Sequence, residues 1–280
     1  MADPLPDPVR AADLAALAWQ IELGVDETIG EAPVDRFAPE ARAEAAPAPG
    51  RAAAPIAAPA TAAPAAVAPA AVAASAAAEA QGAAALAAGC VDLSALRAAL
   101  EGFEGSALRR GARSLVFADG LPGARVMIVG EAPGREEDAA GRPFVGRSGQ
   151  LLDRMLAAIG LSRTAEAPEA AVYITNVLPW RPPANRDPSG DEIAMLKPFL
   201  FRHIELAGPE ILVLMGSAAA RVVLERQDGI MRLRGRWTDW RGVPVMPMVH
   251  PASLLRDGSR KRAAWADLLA IRARLDGETP

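Results

Sequence analysis

Cysteine, histidine and tyrosine are scarce in this chain: one, two and one in 280 residues. With Cys90 alone, no disulfide can close within the chain and no cysteine-held metal centre can be assembled. The start, "MADPLPDPVR", lacks the basic residues and apolar core of a signal peptide. Long hydrophobic runs are missing too, because the apolar stretch over 52–89 is nearly all alanine and is broken by proline, a poor membrane span. These absences predict a cytoplasmic protein without membrane attachment. No Gly-Lys-Ser/Thr ending and no G-x-G-x-x-G spacing occurs in the glycine-rich loop after residue 130, and Glu131, Glu136, Glu137 and Asp138 would repel a polyphosphate. Those features argue against a nucleoside triphosphate site.

What is present is unevenly spread. Residues 1–90 carry eleven acids against four bases, whereas the remainder carries 23 acids against 26 bases. An acidic arm is thus joined to a mildly basic body, and any affinity for nucleic acid belongs to the body. Residues 1–30 contain a short amphipathic helix candidate, with Leu14, Leu17, Ile21 and Val25 on one face. It fits either a helix folded back on the body or a docking segment for a repair or replication protein. Residues 31–90 form an Ala/Pro spacer, predicted to be disordered because alanine buries too little area to offset the entropy of ordering.

The folded body is expected over 91–275. Apolar runs at 125–131, 171–177, 210–216 and 243–250 alternate with stretches of helical periodicity. Continuous apolar strands separated by helices predict a three-layer α/β/α sandwich around a four-stranded parallel sheet, preceded by the disordered N-terminal tail. Ligands of such sheets sit beyond the carboxyl ends of the strands. Those ends hold Glu131, Asn176, Gly216 and His250, which brings a carboxylate, an amide and an imidazole to one rim.

Each group suits a definite task, beside a structural alternative. Carboxylates in a cleft can orient water or stabilise positive charge on a sugar. Phe144, between glycines in "GRPFVGRSG", either anchors the loop or offers a flat face to a nucleobase. Asn176 either caps the strand or matches the donor and acceptor atoms of a pyrimidine edge. His250 is either a structural histidine or a donor to an oxyanion. Between Gly229 and Arg262 stand eight bases and two acids, a footprint for a phosphate backbone. Within it, Leu254 and Leu255 either pack the loop or wedge into a base stack.

"GEAPGREED…GRPFVGRSGQLLDRML", "TNVLPWRPPANRDP", "LRGRW" and "VHPASLLR" together resemble the uracil-DNA glycosylase superfamily, closest to its family 4, over residues 92–272. The resemblance implies a DNA repair enzyme of base excision, which flips deoxyuridine out of DNA and hydrolyses its N-glycosidic bond to leave an abasic site. Carried over by position, Phe144 stacks on the uracil, Asn176 reads its pairing edge, and Ala132 lines the base pocket. His250 stabilises the departing uracil anion, while Glu131 and Glu137 organise the water or the sugar cation. Arg234, Arg236, Ser253, Leu254 and Arg256 contact DNA, with Leu254 filling the gap in the duplex. Family 4 enzymes hold an iron–sulfur cluster, and alignment puts its four cysteine positions at Phe103, Ser106, Trp180 and Leu196, none of which supplies a thiolate. The expectation is therefore a monomer acting on uracil-containing DNA without a cofactor, apolar packing having replaced the cluster. Two rivals stay open at this level: a module that binds uracil or abasic sites without turnover, and an unrelated α/β enzyme of small nucleosides.

Overall fold

The computed structural model of the protein describes residues 80–278. The N-terminal amphipathic segment and most of the Ala/Pro spacer lie outside the described residues. The ordered body begins earlier than expected: residues 80–88 are helical, with Ala83 and Ala87 buried, and the Arg202 guanidinium donates to the Cys90 carbonyl at 2.8 and 3.0 Å. Alanine contributes little area by itself, yet its small side chain lets this helix approach the body closely.

The chain then runs through α1 (Leu93–Gly102), α2 (Ala107–Gly111), β1 (Asp119–Gly120), β2 (Val126–Gly130), α3 (Arg135–Ala140), α4 (Arg147–Ala157) and β3 (Val172–Asn176). A 3-10 turn at Pro183–Asn185 leads to α5 (Gly190–Ala207), β4 (Ile211–Met215), α6 (Ser217–Leu224), α7 (Ile230–Leu233), β5 (Thr238–Trp240) and β6 (Val243–Met248). Last come α8 (Pro251–Arg256), a 3-10 turn at Gly258–Arg260 and α9 (Lys261–Leu275). Among the described residues, no helix is long and apolar enough to cross a membrane.

The sheet has six strands in the order β1-β3-β2-β4-β6-β5, not four. The four central strands are parallel, as their continuous apolar runs predict, and each edge strand is antiparallel to its neighbour. Both edges are too short to register as a run. β5 turns into β6 through Arg241 and Gly242, both at positive φ (52° and 87°), the conformation of a type I′ hairpin turn. Arg-Gly is not a turn pair that announces itself in sequence.

Side-chain alternation sorts the strands into two cores. Met127, Val129, Tyr173, Leu212, Leu214 and Val245 face one cluster with residues of α1, α5 and α6. Val126, Ile128, Ile174, Val213, Met246 and Met248 face another with residues of α4 and α9. Two covered faces make the three-layer sandwich, and they leave the carboxyl ends of the parallel strands as the open rim.

Candidate active site

Cross-strand pairing sets the rim in register. Gly130 pairs with Asn176, and the ladder continues past both strands as Val177 donates to the Gly130 carbonyl at 2.9 Å and Leu178 to that of Glu131 at 3.0 Å. On the far side, the Gly216 amide donates to the Met248 carbonyl at 2.9 Å. A cavity of about 670 Å³ opens above these ends. It is lined by Glu131, Ala132, Glu137, Phe144, Asn176, His250, Ser253 and Arg256, so eight of the eleven residues to which the resemblance gives a role share one space.

Phe144 and His250 stack, with ring centroids 5.4 Å apart and planes inclined by 26°. A Cβ at Gly130 would overlap both the Phe144 ring edge and Asn176 Oδ1, so only glycine lets ring and amide meet over this strand end. Gly216, at φ 94°, sits behind His250, where a Cβ would lie 3.2 Å from that of the histidine. Asn176 is buried as a residue but lines the cavity, and its side-chain amide makes no hydrogen bond among the described residues, which leaves its donor and acceptor free for a ligand.

Phe144 occupies the left-handed region at φ 53°, costing about 1–3 kcal/mol for a non-glycine residue. Two clamps hold it there. Arg163 donates from Nη1 to the Pro143 carbonyl and from Nη2 to the Phe144 carbonyl, each at 2.9 Å, and is itself fixed by Asp119 at 3.0 Å and Asp153 at 2.7 Å. From the other side the Glu137 carboxylate accepts from the amides of Gly134, Val145 and Gly146 at 3.1, 3.0 and 2.9 Å. Both Glu137 oxygens are thereby engaged with backbone, a geometry that suits holding the loop better than activating water. Arg163 was not found from sequence; it stands 19 residues past Phe144 with no motif around it.

Glu131 is the carboxylate left open to the cavity. Burial raises its pKa above the ordinary value, Asp187 adds to the rise, and Arg221 opposes it. His250 caps α8, its Nδ1 accepting from the Ala252 amide at 3.1 Å. An amide N–H only donates, so the neutral ring carries its proton on Nε2. Burial pushes the imidazole pKa down to about 4, Arg256 assists, and the Glu137 carboxylate opposes. At neutral pH the site therefore holds an uncharged imidazole with an Nε2–H donor. Asn185 and Arg186, from the turn after β3, also line the cavity; they stand within the "TNVLPWRPPANRDP" motif, which was read without a role for either.

Three of the proposed DNA contacts lie outside the cavity, and two are corrected by their surroundings. Leu254 is buried at 2 % exposure, packed with Val249 and Ala264, and is not available as a wedge; its neighbour Leu255 is exposed. Arg234 is tied to the buried carboxylate of Asp267 and to the Ala263 carbonyl, so its guanidinium has internal partners. Arg236 is exposed.

The four positions that the resemblance assigns to cluster ligands hold side chains that do not fit an iron–sulfur group. Trp180 and Leu196 are buried in the α5-side core, Phe103 packs against that core with its ring edge-on to Phe199 at 5.2 Å, and Ser106 is buried beside it in sequence. None of these four side chains carries a thiol. The one thiol, Cys90, donates to the Leu86 carbonyl at 3.2 Å.

The family model of the uracil DNA glycosylase superfamily matches residues 117–269, more than half of the chain. A protein of Sulfurisphaera tokodaii named type-4 uracil-DNA glycosylase is 38% identical over 163 residues, 55% of this chain and 71% of its own length. One of Thermotoga maritima with the same name is 39% identical over 150 residues, 53% of this chain and 75% of its own. A third, of Pyrobaculum aerophilum, is 35% identical over 186 residues, 64% and 92% of the two chains. With its rim of Phe144, Asn176 and His250 on an α/β/α sandwich and matches of this extent, the chain belongs to the uracil DNA glycosylase superfamily.

Proposed function

We propose that the protein excises uracil from DNA by hydrolysing the N-glycosidic bond, the first step of base excision repair. The observation that carries this is the meeting of an aromatic face, an unpartnered amide and a neutral imidazole in one cavity. Deoxyuridine is rotated out of the strand at a cost of a few kcal/mol, lower in single strands or at a mismatch. Phe144 stacks on the base. Asn176 donates its amide to uracil O4 and accepts from N3–H, a pairing that cytosine, with the reverse pattern, cannot satisfy in this orientation of the amide. Ala132 is too small to obstruct the base.

As the bond between N1 and C1′ breaks, the electron pair moves onto the uracil ring and charge collects at O2. His250 Nε2–H donates to that oxygen. A neutral donor suits this role, since the ring keeps its proton and the base leaves as an anion. One preorganised donor of this kind contributes about 10²–10³ in rate. Glu131 holds the attacking water beside C1′ and takes its proton as the new C–O bond forms, which leaves the abasic sugar. Glu137 maintains the loop under the base. Arg236, Ser253 and Arg256 supply contacts to the phosphate backbone. The same reading makes the protein a cytoplasmic monomer with residues 1–30 as an arm for a repair or replication partner, and it needs no group beyond these side chains.

Single-turnover assays on uracil-containing oligonucleotides, followed by alkaline cleavage at abasic sites, provide the test. His250→Ala and Asn176→Ala are each expected to slow base release about 10²–10³-fold while keeping most DNA affinity. Wild-type rates in both variants would overturn the assignment, and binding without strand cleavage by the native protein would point to a sensor instead.

A further inference from the structure

A second depression of about 270 Å³ lies between α4, α8 and α9. Its floor is apolar, formed by Leu151, Met155 and Leu254, and one wall is the indole of Trp265, which is 42 % exposed although it sits on a core-packed helix. Arg154 and Lys261 stand on its rim. Arg154, Lys261 and the nearby Arg256 and Arg262 make no ion pair among the described residues, whereas the local acids are occupied: Asp153 by Arg163 at 2.7 Å and Asp257 by Arg260 at 2.8 Å. The depression therefore combines a flat aromatic face with cations that have no internal counter-charge.

We propose that this groove is a subsite for single-stranded DNA, in which Trp265 stacks on an unpaired nucleobase flanking the extruded uracil. Two observations favour a nucleic-acid strand over an apolar helix or a second copy of the chain. One is charge: the unpaired cations match a phosphodiester backbone running beside the stacked base. The other is continuity with the cavity above. α8 gives Ser253 and Arg256 to the cavity and Leu254 to the groove floor, and the following turn gives Arg260 to the cavity just before Lys261 reaches the rim of the groove. A strand with its target nucleotide in the cavity has only this short helix to cross. In a fully paired duplex the flanking bases are stacked within the helix, so the subsite acts on single strands and favours them. The inference rests on the excision reading for its biological meaning and for the kinetic part of its test, but not for the uracil-free binding measurement.

The test uses the full chain, a uracil-free single strand for equilibrium binding, and single-stranded and paired substrates each carrying one uracil. Trp265→Ala should weaken single-strand binding and lower kcat/KM on the single-stranded substrate by about tenfold, while the paired substrate changes by less than about twofold. Trp265→Phe should restore binding because it keeps a π face; Trp265→Leu, which keeps only apolar area, should not. Equal losses on both substrates, no loss in binding, or full restoration by leucine would overturn the proposal. So would a wild-type dimer, seen by sedimentation, that Trp265→Ala dissociates. If the native protein released no uracil from either substrate, the excision reading would fall, and the uracil-free binding measurement would still decide the groove.

Discussion

Replacing Glu137 by glutamine separates a chemical role from an architectural one. In the native loop its two oxygens accept three backbone amides at 2.9–3.1 Å. The amide variant keeps one oxygen, enough for Val145 and Gly146, but turns an NH2 toward the Gly134 N–H. One bond is lost with its donor left unsatisfied, at about 1–3 kcal/mol, and the two survivors fall from charge-assisted to neutral strength, about 1 kcal/mol each. The sum, about 3–5 kcal/mol, is an upper figure because Gly134 is partly exposed and water can replace its partner; a loss of about 2–4 kcal/mol is expected in urea unfolding. The loop carries Phe144 in a strained conformation, so its loosening should also weaken inhibition by free uracil, which reports the base pocket. Unfolding midpoint, uracil inhibition and single-turnover rate are measured on the same preparation. If Glu137→Gln keeps native stability and native uracil affinity yet reacts about 10²–10⁴-fold more slowly, as loss of a general base would cause, the clamp assignment is refuted.

Glu131→Gln is expected to abolish most turnover while raising the melting temperature at neutral pH. Burial and Asp187 hold the Glu131 pKa above its ordinary value, so the folded state resists ionisation, and the gain from removing the charge should vanish as pH falls below about 4.5; a variant less stable than wild type at pH 7 would count against this. Leu254→Ala should cost about 2–5 kcal/mol of stability as a core truncation, whereas Leu255→Ala should leave unfolding nearly unchanged and reduce excision from duplexes more than from single strands. The reverse pattern would restore Leu254 as the wedge. His203, which shares a 2.9 Å hydrogen bond with the Tyr173 hydroxyl, is held by burial at about 3. The unfolded chain takes up a proton that the folded chain refuses, so this contribution is complete above about pH 6.5 and is lost toward pH 3 at about 1.4 kcal/mol per pH unit. The double variant His203→Phe, Tyr173→Phe should flatten the acid side of the stability profile; an unchanged slope would show that other groups set it.

Much of this protein was legible in its sequence because the relevant physics is local. A parallel strand covered on both faces must be apolar throughout, so the four central strands announce themselves, and their carboxyl ends follow by counting residues. Glu131, Asn176 and His250 stand at or just past those ends, and their convergence needed only the sheet to be parallel. The single cysteine also settles from composition that four thiolates are not to hand. Two-residue β1 and three-residue β5 gave no such signal, since a run that short has no periodicity. What the fold alone decided depends on neighbours distant in sequence. Arg163 clamps the aromatic loop across 19 residues. Glu131 and Glu137 look alike in the loop, but backbone amides from the far side of the turn take up one and leave the other facing the cavity. Leu254 and Leu255 are adjacent and chemically identical, and only the packing of α8 against Val249 and Ala264 buries the first and exposes the second. Residue order fixes which groups reach the rim; which of them remain free to react depends on the partners that tertiary packing brings within hydrogen-bonding distance.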